Sequence, residues 1–154
     1  MPPVTRPATI DDLDAVLSLL GELNPDDRPL AAASAARIWA EIADQTGRTL
    51  LVHEHGGVVA GTVDCLVMPN LTRDGRPVMF VENLVVAERQ RRSGVGRSLM
   101  RSVELLAVGA RCHKVQLLAA DDAYVHAFYR SCGFVPCADG FRKYVPAGTV
   151  GASL

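Results

Sequence analysis

Residues 78–99 constrain the fold more than any other stretch. Val78 to Ala87 is apolar except at Glu82-Asn83, the pattern of a buried strand. It runs into a turn carrying Arg89, Arg91 and Arg92, followed by Gly94 and Gly96. From there Val95, Leu99, Val103, Leu106 and Ala110 recur at steps of three or four, which is the period of an amphipathic helix. Such a helix must bury its apolar stripe against a sheet, so the expected class is α/β or α+β in three layers.

The flanking segments supply the other elements. Val4-Thr5-Arg6 reads as a first strand, and Thr9 with Asp12 resembles a capping box ahead of Leu13, Val16, Leu17 and Leu20 at helical spacing. Asn24 to Pro29 breaks that helix, and a second covers about Leu30 to Gln45. Thr49 to His53, the Gly56-Gly57 turn and Val58 to Met68 form a hairpin. After the polar loop Pro69 to Pro77 come the strand and helix above, a strand over Lys114 to Ala119, a helix over Ala123 to Cys132, and a final strand from Gly133 towards Tyr144. Neither a repeat nor a linker divides the chain. Residues 1–154 are therefore expected to form a single domain with its core at about 4–145 and a short C-terminal tail.

Composition narrows the function. With 154 residues, 49% hydrophobic and 21% charged, the chain can build a core of its own. A net charge of -1 removes the electrostatic argument for binding nucleic acid. No apolar run reaches the roughly 18–20 residues that span a bilayer, so no membrane association is expected. The opening residues lack the apolar core of a secretory signal. Cys65, Cys112, Cys132 and Cys137 show no CxxC spacing, which suits a reduced, cytoplasmic protein. His53, His55, His113 and His126 are scattered singly, so no metal site is expected.

The turn before the third helix carries the chemistry. Glycines let backbone amides approach a ligand, and the first amides of a helix have no partner within it. With the helix dipole they make a cradle for a diphosphate, to which Arg91, Arg92 and Arg97 would add charged donors. It is not a Walker loop, since no lysine follows either glycine. It is not a dinucleotide fingerprint either, because Leu99 stands where the third glycine belongs.

Arg91-Arg92-Ser93-Gly94-Val95-Gly96 resembles the [RQ]xxGx[GA] signature of the GNAT family of N-acetyltransferases, and Ala127 to Phe134 resembles its AxxFYxxxGF segment. Val81 to Val86 and Arg111 to Val115 are most similar to the glucosamine-6-phosphate N-acetyltransferase-like branch. The resemblance implies a mixed, mostly antiparallel central sheet with helices on both faces. It also implies acetyl transfer from acetyl-CoA to a primary amine of a small molecule, by direct attack in a ternary complex. Homodimers occur in that branch. A CoA-binding regulatory module without turnover is the alternative, and Cys132 or Cys137 makes a covalent route formally open.

Carried over residue by residue, the resemblance assigns the diphosphate to Arg91, Arg92, Ser93, Gly94, Val95, Gly96, Arg97 and Ser98. Leu84, Val85 and Val86 would pair with the pantetheine arm. Tyr129 falls on the tyrosine that protonates or hydrogen-bonds the departing thiolate, although a purely packed aromatic is the plain alternative. Glu82 is the carboxylate placed to take the ammonium proton, and partial burial in its apolar strand would raise its pKa; substrate positioning is its other role. His126, three residues before Tyr129, shares its helix face. Asp121-Asp122 read first as helix caps. Arg28, Asn70 and Asn83 are the acceptor-binding candidates, and Asn83 departs from the aspartate common in the amino-sugar branch.

Overall fold

The computed structural model describes residues 2–148. The elements in order are β1 (Val4–Pro7), α1 (Leu13–Leu23), α2 (Ala32–Asp44), β2 (Arg48–His55), β3 (Val58–Met68), β4 (Val78–Val86), α3 (Val95–Gly109), β5 (Lys114–Gln116) and α4 (Ala123–Ser131). Five strands form one sheet in the order β1-β2-β3-β4-β5. Neighbours are antiparallel except β4 and β5, which run parallel because α3 is the crossover between them.

The helical stripe expected from the sequence holds at Val95, Leu99 and Val103, but Met100 and Ala107 complete the buried face while Leu106 is exposed. Val95, Leu99, Met100, Val103 and Ala107 of α3 pack on Leu51, Val63, Cys65, Met79 and Val81. Burying each of the larger side chains contributes about 1.5–3 kcal/mol. Because strand side chains alternate, buried Val52 and Val78 face the other way. On that face α1 packs over β3 and β4, with Val16 and Leu19 buried. The helix-on-sheet contact is tightest at Gly61, where a Cβ would lie 2.8 Å from Val95 Cγ1 and 3.2 Å from the Val85 carbonyl oxygen. A smaller residue does not exist, so glycine sets how closely the N-terminal turn of α3 approaches β3.

Two expectations are corrected. The strand expected over Lys114 to Ala119 is ladder-paired only at Lys114–Gln116, opposite Val78–Phe80. The final strand from Gly133 towards Tyr144 does not form. Gly133, at φ 92°, ends α4 instead, with its amide donating to the Arg130 carbonyl and the Phe134 amide to that of Tyr129. Pro136 then lacks a donor for a ladder, and Gly140 weakens any strand beyond it.

At the start of the fold, the Asp12 carboxylate accepts the Thr9 amide at 2.7 Å, closing the helix start as the sequence suggests. Arg6 of β1 donates to Asp12 at 2.8 Å and 3.0 Å, and also to Glu54 of β2. That guanidinium holds the Asp12 carboxyl below its ordinary value of 3.8, against the opposing effect of burial. A lowered carboxyl pKa gives stability that is complete above the ordinary value and drains as the pH falls below it. Arg6→Met strands the nearly buried carboxylate. It should destabilise the fold by about 2–4 kcal/mol at pH 7, less than a fully buried pair because Arg6 is partly solvated. Urea melts at pH 7 and pH 3 check this: the gap between variant and parent should narrow at the lower pH.

Candidate functional site

The site begins where β4 and β5 part. Their ladder stops at Phe80 and Gln116, so β4 from Val81 onward has no partner on that edge. On its other edge β4 pairs Asp64 with Glu82 and Thr62 with Val85. One β3 residue, Val63, therefore faces two on β4, Asn83 and Leu84. That is a bulge, and Asn83 takes the left-handed conformation at φ 54° to make it. Strand edge and bulge together offer unpaired backbone groups to an extended ligand, as an added strand would use them.

The space opened by the parting strands is a cleft of about 1010 Å³. Glu82, Tyr129 and His126 all line it, with Asp121, Arg130 and Arg142 at its polar positions. Two residues 47 apart in sequence thus reach one volume. Tyr129 is half-buried and wedged edge-on between Phe128 (ring centroids 5.2 Å apart) and Phe134 (5.8 Å). Burial, with a smaller contribution from Cys132, pushes its phenol above the ordinary 10.0. It is therefore a proton donor throughout the neutral range. Glu82 is exposed, which overturns the expectation of partial burial.

The helix α3 is preceded by Gly94, whose φ of 87° only glycine adopts freely. No side chain caps the helix. Its first internal bond runs from the Ser98 amide to the Gly94 carbonyl, leaving the amides of Val95, Gly96 and Arg97 without helical partners. A Cβ on Gly94 would meet nothing within 4 Å, whereas one on Gly96 would sit 3.2 Å from Phe128 of α4. These amides, at the positive end of a 15-residue helix, fit a diphosphate.

The arginines of this turn are already engaged to different degrees. Arg91 donates to the Val86 carbonyl at 3.2 Å, and Arg97 holds Ser131 of α4 through its carbonyl and hydroxyl. Arg92 stacks over Tyr124 at 5.9 Å. Ser93 donates to the Gln90 carbonyl, which fixes the turn. Ser98 faces the sheet, bonded to Thr5. Among the acceptor candidates, Asn70 spends its amide on Thr72 and the Arg76 carbonyl within its own loop. Neither it nor Arg28 nor Asn83 lines the cleft.

Sequence reasoning missed Arg130 and Arg142, the cations that do line it. Arg142 sits in an irregular segment with no pattern to flag it. Also missed was the Arg48–Asp64 ion pair, with the carboxylate nearly buried and directly across the ladder from Glu82. Asp122 caps α4 as expected, accepting the Val125 amide at 3.0 Å. Of the thiols, Cys65 is buried and pushed up to about 11, so it is inert.

A curated relative, the glucosamine 6-phosphate N-acetyltransferase of Trypanosoma brucei brucei, is 30% identical over 125 residues, covering 80% of this chain and 82% of that protein. The aminoglycoside N(6')-acetyltransferase type 1 of Stenotrophomonas maltophilia is 31% identical over 139 residues, 86% of each. The solved structure of a protein from Agrobacterium tumefaciens str. C58 superposes with a TM-score of 0.89 at 40% identity, covering 92% of this chain and 99% of that one. Residues 13–134 match the family model for the acetyltransferase (GNAT) family, and the chain belongs to that family.

Proposed function

We propose that the chain, acting as one transferase domain, moves the acetyl group of acetyl-CoA to a primary amine of a small molecule. Attack is direct, within a ternary complex. When bound, acetyl-CoA supplies the acyl carbon, activated as a thioester. The chain's part is to hold the two reactants and manage two protons. Glu82, exposed in the cleft, takes the ammonium proton directly or through water, and Tyr129 donates its phenolic proton to the leaving sulfur. A C–N bond forms as the C–S bond breaks, the attacking nitrogen then releases its second proton to solvent, and exchange with solvent reprotonates Tyr129 and deprotonates Glu82. The unpartnered edge of β4 at Leu84, Val85 and Val86 supports the pantetheine arm.

The observation that carries this reading is the convergence of Glu82 and Tyr129 on one cleft, with the uncapped start of α3 brought close at Gly96 to Phe128, the residue before Tyr129. For the acceptor we infer an amino sugar. Two curated relatives are named for such amines, and the cleft is lined by both cations, Arg130 and Arg142, and acids, Glu82, Asp121 and Asp139, which suits an amine that also bears an anionic group. Calorimetric titration should give saturable binding of acetyl-CoA and none of ATP, followed by turnover with glucosamine 6-phosphate or an aminoglycoside. Failure of acetyl-CoA to bind overturns the reading.

We also read the enzyme as cytoplasmic, on its four free thiols, and as a homodimer. Past α4 the chain carries Phe141, Tyr144 and Val145, each more than four-fifths exposed. A second copy would cover them. Sedimentation equilibrium should return twice the chain mass.

A further inference from the structure

Three elements meet through side-chain hydroxyls under the start of α3. Thr5 Oγ1 lies 2.9 Å from Ser98 Oγ and 2.9 Å from His53 Nδ1. Thr5 and His53 are ladder partners on β1 and β2, so both present the same sheet face to α3. His53 is only 6% exposed. Burial, and then the nearby His55, keep its pKa below the ordinary 6.5, so it is neutral at pH 7.

Among the described residues, Ser98 makes the only side-chain hydrogen bond between α3 and the sheet; Arg97 ties the helix to α4 instead. The rest of that interface is apolar. Apolar contact has no direction. It fixes how deep the helix lies, but leaves rotation about its axis and sliding along it weakly opposed. A hydrogen bond has both a length and an angle. Ser98 also sits at the first turn, immediately after the three amides left without partners.

We propose that His53, Thr5 and Ser98 form a positioning relay: His53 orients the Thr5 hydroxyl, Thr5 holds Ser98, and Ser98 aims the amides of Val95, Gly96 and Arg97 at a diphosphate. This rests on acetyl-CoA being the donor, as proposed above. The relay acts only on the diphosphate end of the ligand. It therefore separates recognition of the nucleotide half from recognition of the pantetheine half, which the β4 edge provides.

The test uses Thr5→Val, Ser98→Ala and Thr5→Ser, with acetyl-CoA and with S-acetylpantetheine, which lacks the diphosphate. Dissociation constants are measured by calorimetry, alongside the melting temperature. Thr5→Val and Ser98→Ala should each weaken acetyl-CoA by about three- to tenfold, the worth of one or two misdirected hydrogen bonds. S-acetylpantetheine should be unaffected, and Thr5→Ser should bind acetyl-CoA like the parent. Equal weakening of both ligands would mean that the hydroxyls only stabilise the fold, and overturns the relay. So does unchanged acetyl-CoA affinity in Ser98→Ala. If the parent itself binds no acetyl-CoA, the donor assignment falls and the relay with it.

Discussion

Gly94→Val is expected to weaken acetyl-CoA binding by roughly 10²–10⁴-fold while leaving the protein folded. At φ 87°, a residue with a Cβ is strained, by about 1–2 kcal/mol and more if β-branched. The backbone relieves that strain by rotating, which turns the Val95 and Gly96 amides away from their common target. The added side chain also enters open space, since no protein atom lies within 4 Å of the Cβ position. Hydrogen bonds to a charged group contribute about 1.5–3 kcal/mol each; losing two accounts for the range given. Gly57→Val is the control. Gly57, in the β2–β3 turn, has a φ of 77° and the same open surroundings, but no helix start behind it. It should lose comparable stability and keep its affinity. Parental affinity in Gly94→Val would mean that the diphosphate is bound elsewhere.

The residues behind this effect are legible in the sequence itself. The strand, the glycine turn and the amphipathic helix follow from local rules: alternation, φ-permissive residues and the 3.6 period. Long elements with those signals, β3 and α3 above all, emerge with boundaries within a residue or so of expectation. What was not legible depends on contacts distant in sequence. The bulge at Asn83 shows only in the ladder, where Val63 of β3 faces two residues of β4; asparagine tolerates the left-handed conformation but does not by itself locate a bulge. The early parting of β4 and β5 likewise reflects how two strands lie, not what they contain. Val135, Phe141 and Tyr144 read as strand-forming residues. Strand propensity without a partner edge is not a strand, and Pro136 and Gly140 deny them one. The burial of Glu82 was misjudged for a related reason. Apolar neighbours in sequence imply burial only if something covers the strand, and at the mouth of the cleft nothing does.

The role of Tyr129 separates most sharply from that of Glu82 through pH. Tyr129→Phe should lower kcat by roughly 10²–10⁴-fold, the usual worth of a positioned general acid. It should leave acetyl-CoA affinity alone, because Phe preserves the edge-on contacts with Phe128 and Phe134. Burial raises the phenol above 10.0, so the parent keeps its acid protonated up to and beyond that pH. A loss of kcat in the parent caused by Tyr129 ionising must then appear above pH 10, and the variant must lack it. Raising the pH cannot rescue Tyr129→Phe, since alkaline solution supplies no proton to a leaving thiolate. Glu82→Gln should behave in the opposite sense. Its deficit lies in removing a proton from the amine, and higher pH removes that proton without help, so its rate should climb towards the parental value. If Tyr129→Phe recovers with pH as Glu82→Gln does, or keeps the parental kcat, then Tyr129 is a packed aromatic and the leaving thiolate takes its proton from water.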